Sequence, residues 1–316
     1  MGWTGADMPD GRGRTALVTG ATRGLGLHVA EGLARGGMRV VLAGRDRAAG
    51  EAAAEGIRAR SRGGGHEAAV SFASLDLGSL ADVASFAEGF AAEYPRLDLL
   101  VNNAGVMAIP ARHATADGFE RQLGVNHLGH FALTARLLPV LRRGEAARVV
   151  SVASLAHLRG RIDFADLNAE RRYGAWRAYT QSKLAVLMFA REMQRRSVAA
   201  GWGVASLAAH PGIARTALFE TGPGTGRRGG WSPERLLMRV GGRLFAQGAE
   251  RGALPILFAA VAPGAEPGGY YGPDGFREMT GDLAPARVSA AAQDAAAGAR
   301  LWAESERLCG VRFGAA

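Results

Sequence analysis

Along the first two hundred residues, short runs of β-branched and aliphatic positions alternate with longer stretches rich in alanine and leucine. The compact runs read as strands and the longer stretches as helices, the repeating unit of a parallel sheet. The pattern predicts strands at Thr15 to Thr19, Arg39 to Ala43, Ala69 to Ser74, Leu97 to Val101, Arg148 to Val152 and Val204 to Ala209. It predicts helices at Gly24 to Arg35, Ala48 to Arg62, Leu80 to Tyr94, Asp117 to Leu141 and Tyr173 to Val198. Strands continue on both sides of every candidate break, so residues 14–316 read as one doubly wound α/β domain behind a flexible arm of residues 1–13. In such a fold ligands bind beyond the carboxyl ends of the strands.

The alternation loosens from Thr216 to about Arg251, where the run Thr221 to Gly230 is rich in Gly and Arg and Ser232-Pro233-Glu234 follows. Emerging after the sixth strand, residues 216–251 read as an insertion that covers a bound substrate; the glycine run alone reads equally as a surface loop. In the tail from Ala290 to Leu308, Leu301, Trp302, Ser305 and Leu308 recur at helical spacing, which points to a packing helix.

Composition narrows the function classes. The chain is 48% hydrophobic, enough for a substantial core, but the apolar stretch Gly252 to Pro267 is interrupted by Pro255 and Pro263 and is too short to cross a bilayer. No membrane span is expected. The first thirteen residues lack the apolar centre of a secretory signal, and a cytoplasmic protein is expected. The single cysteine, Cys309, has no companions for a disulfide or a zinc site, so no metal is expected. A formal charge of +9 raises the question of nucleic acid, but the arginines are dispersed and no aromatic RNA-binding signature accompanies them, so no nucleic-acid partner is expected. Of the 38 basic residues 37 are arginine, and Lys183 is the only lysine. A chain that uses arginine for every other positive charge needs an amine at 183. Asparagine is also scarce, confined to Asn102, Asn103, Asn126 and Asn168.

From Thr15 to Gly26 the chain passes from a strand through a glycine-rich turn into a helix. Such a turn presents backbone N–H groups and a helix N-terminus to a pyrophosphate, and assigns Gly20, Thr22, Arg23, Gly24, Leu25 and Gly26 to a dinucleotide. At the end of the second strand stands Gly44-Arg45-Asp46. An acidic group at the strand end would accept from a ribose 2′-hydroxyl, whereas Arg45 can pair with a 2′-phosphate, and Arg23 could supply a second positive group. NADP(H) is therefore favoured over NAD, with Asp46 as the residue that speaks against it.

Tyr179 and Lys183 lie one helical turn apart, on one face of the predicted helix. A cation beside a phenol lowers the phenol's pKa toward the range useful for proton transfer. With the glycine turn, Asn102-Asn103-Ala104-Gly105 after the fourth strand, Asn126, Ser154 and Tyr179-Thr180-Gln181-Ser182-Lys183, the chain from Arg14 onward resembles the short-chain dehydrogenases/reductases. Ser154-Leu155-Ala156-His157, Asp166-Leu167, Lys183-Leu184-Ala185, His210-Pro211-Gly212, Gly269-Tyr270-Tyr271 and Arg300-Leu301-Trp302 resemble its retinol dehydrogenase-like branch. The 25-residue interval from Ser154 to Tyr179, 179 minus 154, is also similar to that branch.

The resemblance implies a Rossmann-type domain with a mainly parallel sheet flanked by helices. It implies that Tyr179 protonates a carbonyl oxygen, that Ser154 orients it, that Lys183 holds the nicotinamide ribose and tunes Tyr179, and that Asn126 positions a relay water. It further places Asp76 and Leu77 near adenine, Asn103, Ala104 and Gly105 beside the cofactor, and Pro211, Gly212, Ile213 and Thr216 around the nicotinamide. His157 and His210 receive no proton-transfer role. The expected reaction is hydride exchange between NADP(H) and an apolar small-molecule ketone, aldehyde or alcohol, in the direction of carbonyl reduction. Reduction of a carbon-carbon double bond and a non-catalytic NADP-binding sensor or scaffold remain as alternatives, and a homo-oligomer is left open.

Overall fold

Alternate positions of the first strand, β1 (Thr15–Thr19), belong to two different cores: Leu17 joins the apolar cluster on one face of the sheet, Ala16 and Val18 the cluster on the other. A strand buried on both faces needs no polar side, which is why this segment reads as a continuous run. The computed structural model describes residues 2–63, 68–213 and 248–314. It shows β2 (Arg39–Gly44), β3 (Val70–Ser74), β4 (Leu99–Asn102), β5 (Arg148–Val152), β6 (Ala205–Ala209), β7 (Tyr270–Pro273) and β8 (Leu283–Pro285). Their order is β3-β2-β1-β4-β5-β6-β7-β8, parallel through β7, with β8 antiparallel at the edge.

One face carries α1 (Gly24–Arg35), α2 (Arg47–Gly63) and α7 (Ala249–Val261), whose Val29, Leu33, Ile57, Ile256 and Phe258 share one core cluster with the even-numbered side chains of β1. The other carries α3 (Leu80–Glu93), α5 (Gly129–Leu141), α6 (Ala175–Ala200) and α9 (Ala295–Cys309). Between α3 and α5 lie α4 (Arg121–Leu123) and a π-helical segment, Gly124–Leu128, and α8 (Ala290–Gln293) precedes α9.

The strand and helix readings from sequence hold, with shifted ends that have identifiable causes. The helix expected from Asp117 begins at Arg121, because Glu120 pairs with Ala114 in an isolated β-bridge and turns its carboxylate onto the N–H groups of Gln122 and Leu123. α6 runs on to Ala200 and stops at Gly201, whose φ of 61° is the left-handed stop that glycine favours. β7, β8 and α7 went unread as elements: β7 pairs with β6 through only two residues, and the apolar stretch from Gly252 folds as a buried helix against α1. Residues 2–13, expected as an arm, form a 3₁₀ turn at Gly5–Asp7, set Trp3 edge-on to Phe258 at 5.6 Å and donate Gly11 N–H to the Gly36 carbonyl at 2.7 Å. Of the expected insertion, residues 216–247 lie outside the described residues, Gly248 caps α7 and Ala249 to Arg251 form its first turn.

Candidate active site

Strand order reverses between β1 and β4, and the crevice at such a switch point is where a doubly wound sheet takes its ligand. The glycine turn leaves the end of β1 here. Gly20 has φ of 64°, and a Cβ on it would stand 2.8 Å from the Ala104 backbone; a Cβ on Gly26 would stand 2.4 Å from Asn103 Nδ2. The turn and the segment after β4 are thus pressed together at distances only glycine permits. Arg23 occupies the N-cap of α1 without a side-chain cap, so among the described residues no side chain takes the first-turn N–H groups of this twelve-residue helix. That arrangement fits a pyrophosphate. Thr22 reaches Gly44 at the end of β2, within 3.1 Å of where its Cβ would be.

Arg45 is exposed just beyond β2. Asp46, the residue that spoke for NAD, is the N-cap of α2, its carboxylate accepting from Ala49 N–H at 3.0 Å. Capping accounts for an acidic residue at that position without a ribose. Asp76 is likewise occupied locally, accepting from Gly78 N–H at 2.9 Å, and Leu77 is buried under Gly129. Asn103 uses its side-chain amide to clamp the glycine turn, donating to the Thr19 carbonyl at 2.8 Å and the Gly20 carbonyl at 3.2 Å. That clamp holds the turn's shape.

Four side chains expected to act together are gathered from separate parts of the chain. Ser154 follows β5 and caps the 3₁₀ turn Leu155–Arg159. Tyr179 and Lys183 stand on α6, both 5% exposed, and Asn126 lies in the π-helical segment, 1% exposed. Burial raises the Tyr179 phenol above its ordinary value while the Ser154 side chain pulls it back. The phenol is therefore protonated at neutral pH. Burial alone lowers Lys183 to about 8, and its ammonium donates to the Val152 carbonyl at 2.8 Å. A methyl on Gly105 would stand 3.2 Å from Asn126 Oδ1 and 3.7 Å from Lys183 Nζ, so Gly105 is the open ground between them. The Asn126 side chain is fully engaged: Oδ1 accepts from Val106 N–H at 2.8 Å, and Nδ2 donates to the Val106 carbonyl at 3.0 Å and to Ser182 Oγ at 2.9 Å. Ser182 donates its own proton to the Tyr179 carbonyl at 2.8 Å.

At the far side, Ile213 N–H donates to the Met279 carbonyl at 2.8 Å, and Gly212, φ 65°, packs against Met279 and Pro273; Pro211 is their neighbour in the turn after β6. Thr216 lies outside the described residues. His210 accepts from Gly212 N–H through Nδ1 at 3.2 Å and faces the Glu278 carboxylate at 3.3 Å. The His157 ring reaches the Ser154 carbonyl at 2.7 Å through Nδ1, and burial lowers its pKa. Both histidines thus shape the loops that carry Ser154 and Gly212. Sequence reasoning passed over Thr19 and Ser182, each within or beside a motif it used; their neighbours' chemistry drew the attention, and only the packing shows their hydrogen bonds.

A sequence profile described as short chain dehydrogenase matches residues 14–223. Relatives include polyprenol dehydrogenase of Mus musculus, 44% identical over 97% of this chain and 87% of that protein, and retinol dehydrogenase 13 of Homo sapiens, 43% identical over 95% and 85%. Among solved structures, an uncharacterized protein from Mycobacterium Paratuberculosis is 40% identical with a TM-score of 0.80, covering 100% of both chains. The Pseudomonas aeruginosa RhlG/NADP active-site complex is 27% identical with a TM-score of 0.61, covering 82% of this chain and 94% of that one.

Proposed function

The chain belongs to the short-chain dehydrogenase family and is retinol dehydrogenase-like, and from that membership we propose that it reduces an apolar ketone or aldehyde with NADPH. The observation that carries the reading is the convergence of Ser154, Tyr179, Lys183 and Asn126 beside the glycine turn. The turn and the free N-terminus of α1 would hold the pyrophosphate, Arg45 and Arg23 the 2′-phosphate, and Lys183 the nicotinamide ribose. The bound nicotinamide supplies or accepts the hydride.

The rest is the work of this chain's own groups. Tyr179, kept protonated by its burial, donates its phenolic proton to the substrate oxygen as negative charge develops there. Ser154 orients that oxygen, and the nearby Lys183 ammonium offsets the charge left on the phenolate. Asn126, bonded to Ser182 and through it to the Tyr179 backbone, fixes the spacing of the proton-handling groups. NADP over NAD is supported by Arg45 at the strand end with Asp46 spent on its cap, and by the NADP complex of the 27% identical relative.

The relatives named for retinol and polyprenol support an apolar substrate. So does the ground beside Tyr179. Trp176, 42% exposed, sets its ring 5.8 Å from that of Tyr179, and Leu158 and Phe276 are exposed on the loops after Ser154 and near Gly212. The test is purified protein with NADPH and a panel of soluble and long-chain carbonyl compounds, following nicotinamide absorbance and identifying the product. Formation of an alcohol supports the proposal, and a saturated carbonyl product would move the reading to double-bond reduction. No turnover of any carbonyl would defeat it.

A further inference from the structure

We propose that His130 is a positioning residue of this site, tying the cofactor turn to the segment that carries Asn126. The inference rests on the oxidoreductase reading and concerns a residue outside the motifs that carry the family resemblance.

His130 stands in the first turn of α5, 3% exposed, four residues after Asn126. Its Nε2 lies 2.9 Å from Thr19 Oγ1, and its Nδ1 lies 3.0 Å from the Asn126 carbonyl. The direction of each bond follows from counting protons. The Asn126 carbonyl can only accept, so Nδ1 is the donor there, and Thr19 Oγ1 accepts from Ala104 N–H at 3.0 Å and from Asn103 N–H at 2.9 Å, the latter shared with the Val101 carbonyl. The one proton of Thr19 Oγ1 has two acceptors within reach, His130 Nε2 at 2.9 Å and the Val101 carbonyl at 3.3 Å, and the closer ring nitrogen takes it. Nε2 is then an acceptor, so the neutral ring carries its hydrogen on Nδ1, which donates to the carbonyl of Asn126. The neutral ring is also what the burial favours: it lowers His130 to about 4, with the Lys183 charge pushing the same way and the Asn126 carbonyl opposing.

One imidazole in one tautomer therefore spans from the last residue of β1, where the glycine turn begins, to the backbone of the π-helical segment. The connection extends further. The Asn126 side chain bonds Ser182, and Ser182 bonds the Tyr179 carbonyl, so α6 is held to the glycine turn through His130. A carbonyl in a π-helical segment is displaced from the regular i to i+4 ladder, and here Gly129 N–H closes onto Gly124 instead. The His130 ring supplies the Asn126 carbonyl with a donor fixed by the sheet rather than by the helix itself. His130 acts through Thr19 and Asn126.

The two arms can be cut separately. His130→Asn offers an amide near the Nδ1 position and cannot reach Thr19, whereas His130→Gln offers one near Nε2 and leaves the Asn126 carbonyl without its donor. With NADPH affinity measured by nicotinamide fluorescence and kcat on a verified carbonyl, the two variants should diverge. His130→Asn should raise the NADPH Kd about tenfold with kcat within about threefold of wild type, and His130→Gln should lower kcat about tenfold with Kd within about threefold. His130→Phe, which keeps the ring volume and loses both bonds, should show both defects.

Parallel losses in the Asn and Gln variants, as a merely structural histidine would give, overturn the proposal. So does a Phe variant within about twofold of wild type on both measures. If His130→Phe does not fold, the Asn and Gln contrast still decides. A wild-type protein that turns over no carbonyl defeats the oxidoreductase reading instead, and the NADPH affinities of the two variants then stand as the test of His130.

Discussion

Lys183 is a cation held where burial disfavours a cation, and in the cofactor-free chain its ammonium donates to the Val152 carbonyl. Its folded pKa, about 8, lies below its ordinary 10.5, so between those values the unfolded chain binds a proton that the folded chain has released. Stability should therefore rise with pH through that window, and the penalty, on the order of 3 kcal/mol, should be fully present below it. Lys183→Met should stabilise the cofactor-free protein at pH 7 and remove the rise between pH 8 and 10.5, read by urea denaturation at several pH values. The same substitution should abolish turnover. At Tyr179 the requirement is the proton itself: Tyr179→Phe keeps the packing, and NADPH should still bind while turnover falls about 10² to 10⁴-fold in single-turnover assays. Arg45→Asp sets a carboxylate where the 2′-phosphate is proposed to lie, so NADPH should lose affinity with NADH little changed. Equal losses for the two cofactors in parallel titrations would remove Arg45 from that role.

At the scale of elements, the site depends on how closely the turn after β1 meets the segment after β4. Asn103 and Thr19 are the ties, and glycines 20 and 26 leave the space. In Gly26→Ala the new methyl would meet Asn103 Nδ2 at 2.4 Å and the Gly20 carbonyl at 2.5 Å, one of them backbone that cannot swing aside. The expected result is a folded protein, confirmed by circular dichroism, whose NADPH affinity falls at least about tenfold, a cost of roughly 1.4 kcal/mol or more. The π-helical segment is the second such element. Its irregular hydrogen bonding turns Asn126 toward Val106 and Ser182, and an unbroken α-helix from Glu120 would carry that side chain to another bearing.

For the molecule as a whole, the C-terminal helices close the core behind α6. Trp302 on α9 is 2% exposed and meets Phe131 of α5 at 5.0 Å, Phe189 of α6 at 5.8 Å and Phe313 at 4.3 Å, with the Arg196 guanidinium 4.6 Å from its ring. Trp302→Ala should cost about 3 to 5 kcal/mol, measured by chemical denaturation. Because Phe189 and Lys183 share α6, the loss should be largest in stability and secondary in NADPH affinity. Among the described residues no helix is long and apolar enough to cross a membrane. The apolar stretch beginning at Gly252 is spent on α1 and the sheet instead.

Periodicity and turn chemistry are local properties, and the chain alone determined the features they dictate: six strands, five helices, the glycine turn, and the order in which Asn126, Ser154, Tyr179 and Lys183 arrive. Lys183 stood out because every other basic residue is arginine. Left undecided by the chain alone are matters of distance between segments far apart in sequence. Asp46 speaks for NAD until its carboxylate is seen on Ala49 N–H, and the clamp of the Asn103 amide on the Thr19 and Gly20 carbonyls shows only in the fold. β7 is set by its neighbours, pairing with β6 through two residues and with β8 on its other side. His130 lies 111 residues from Thr19 along the chain, and no spacing rule connects them. Only folding β1 against α5 brings that ring between the Thr19 hydroxyl and the Asn126 carbonyl, and because a carbonyl can only accept, the ring's hydrogen sits on the nitrogen that faces Asn126.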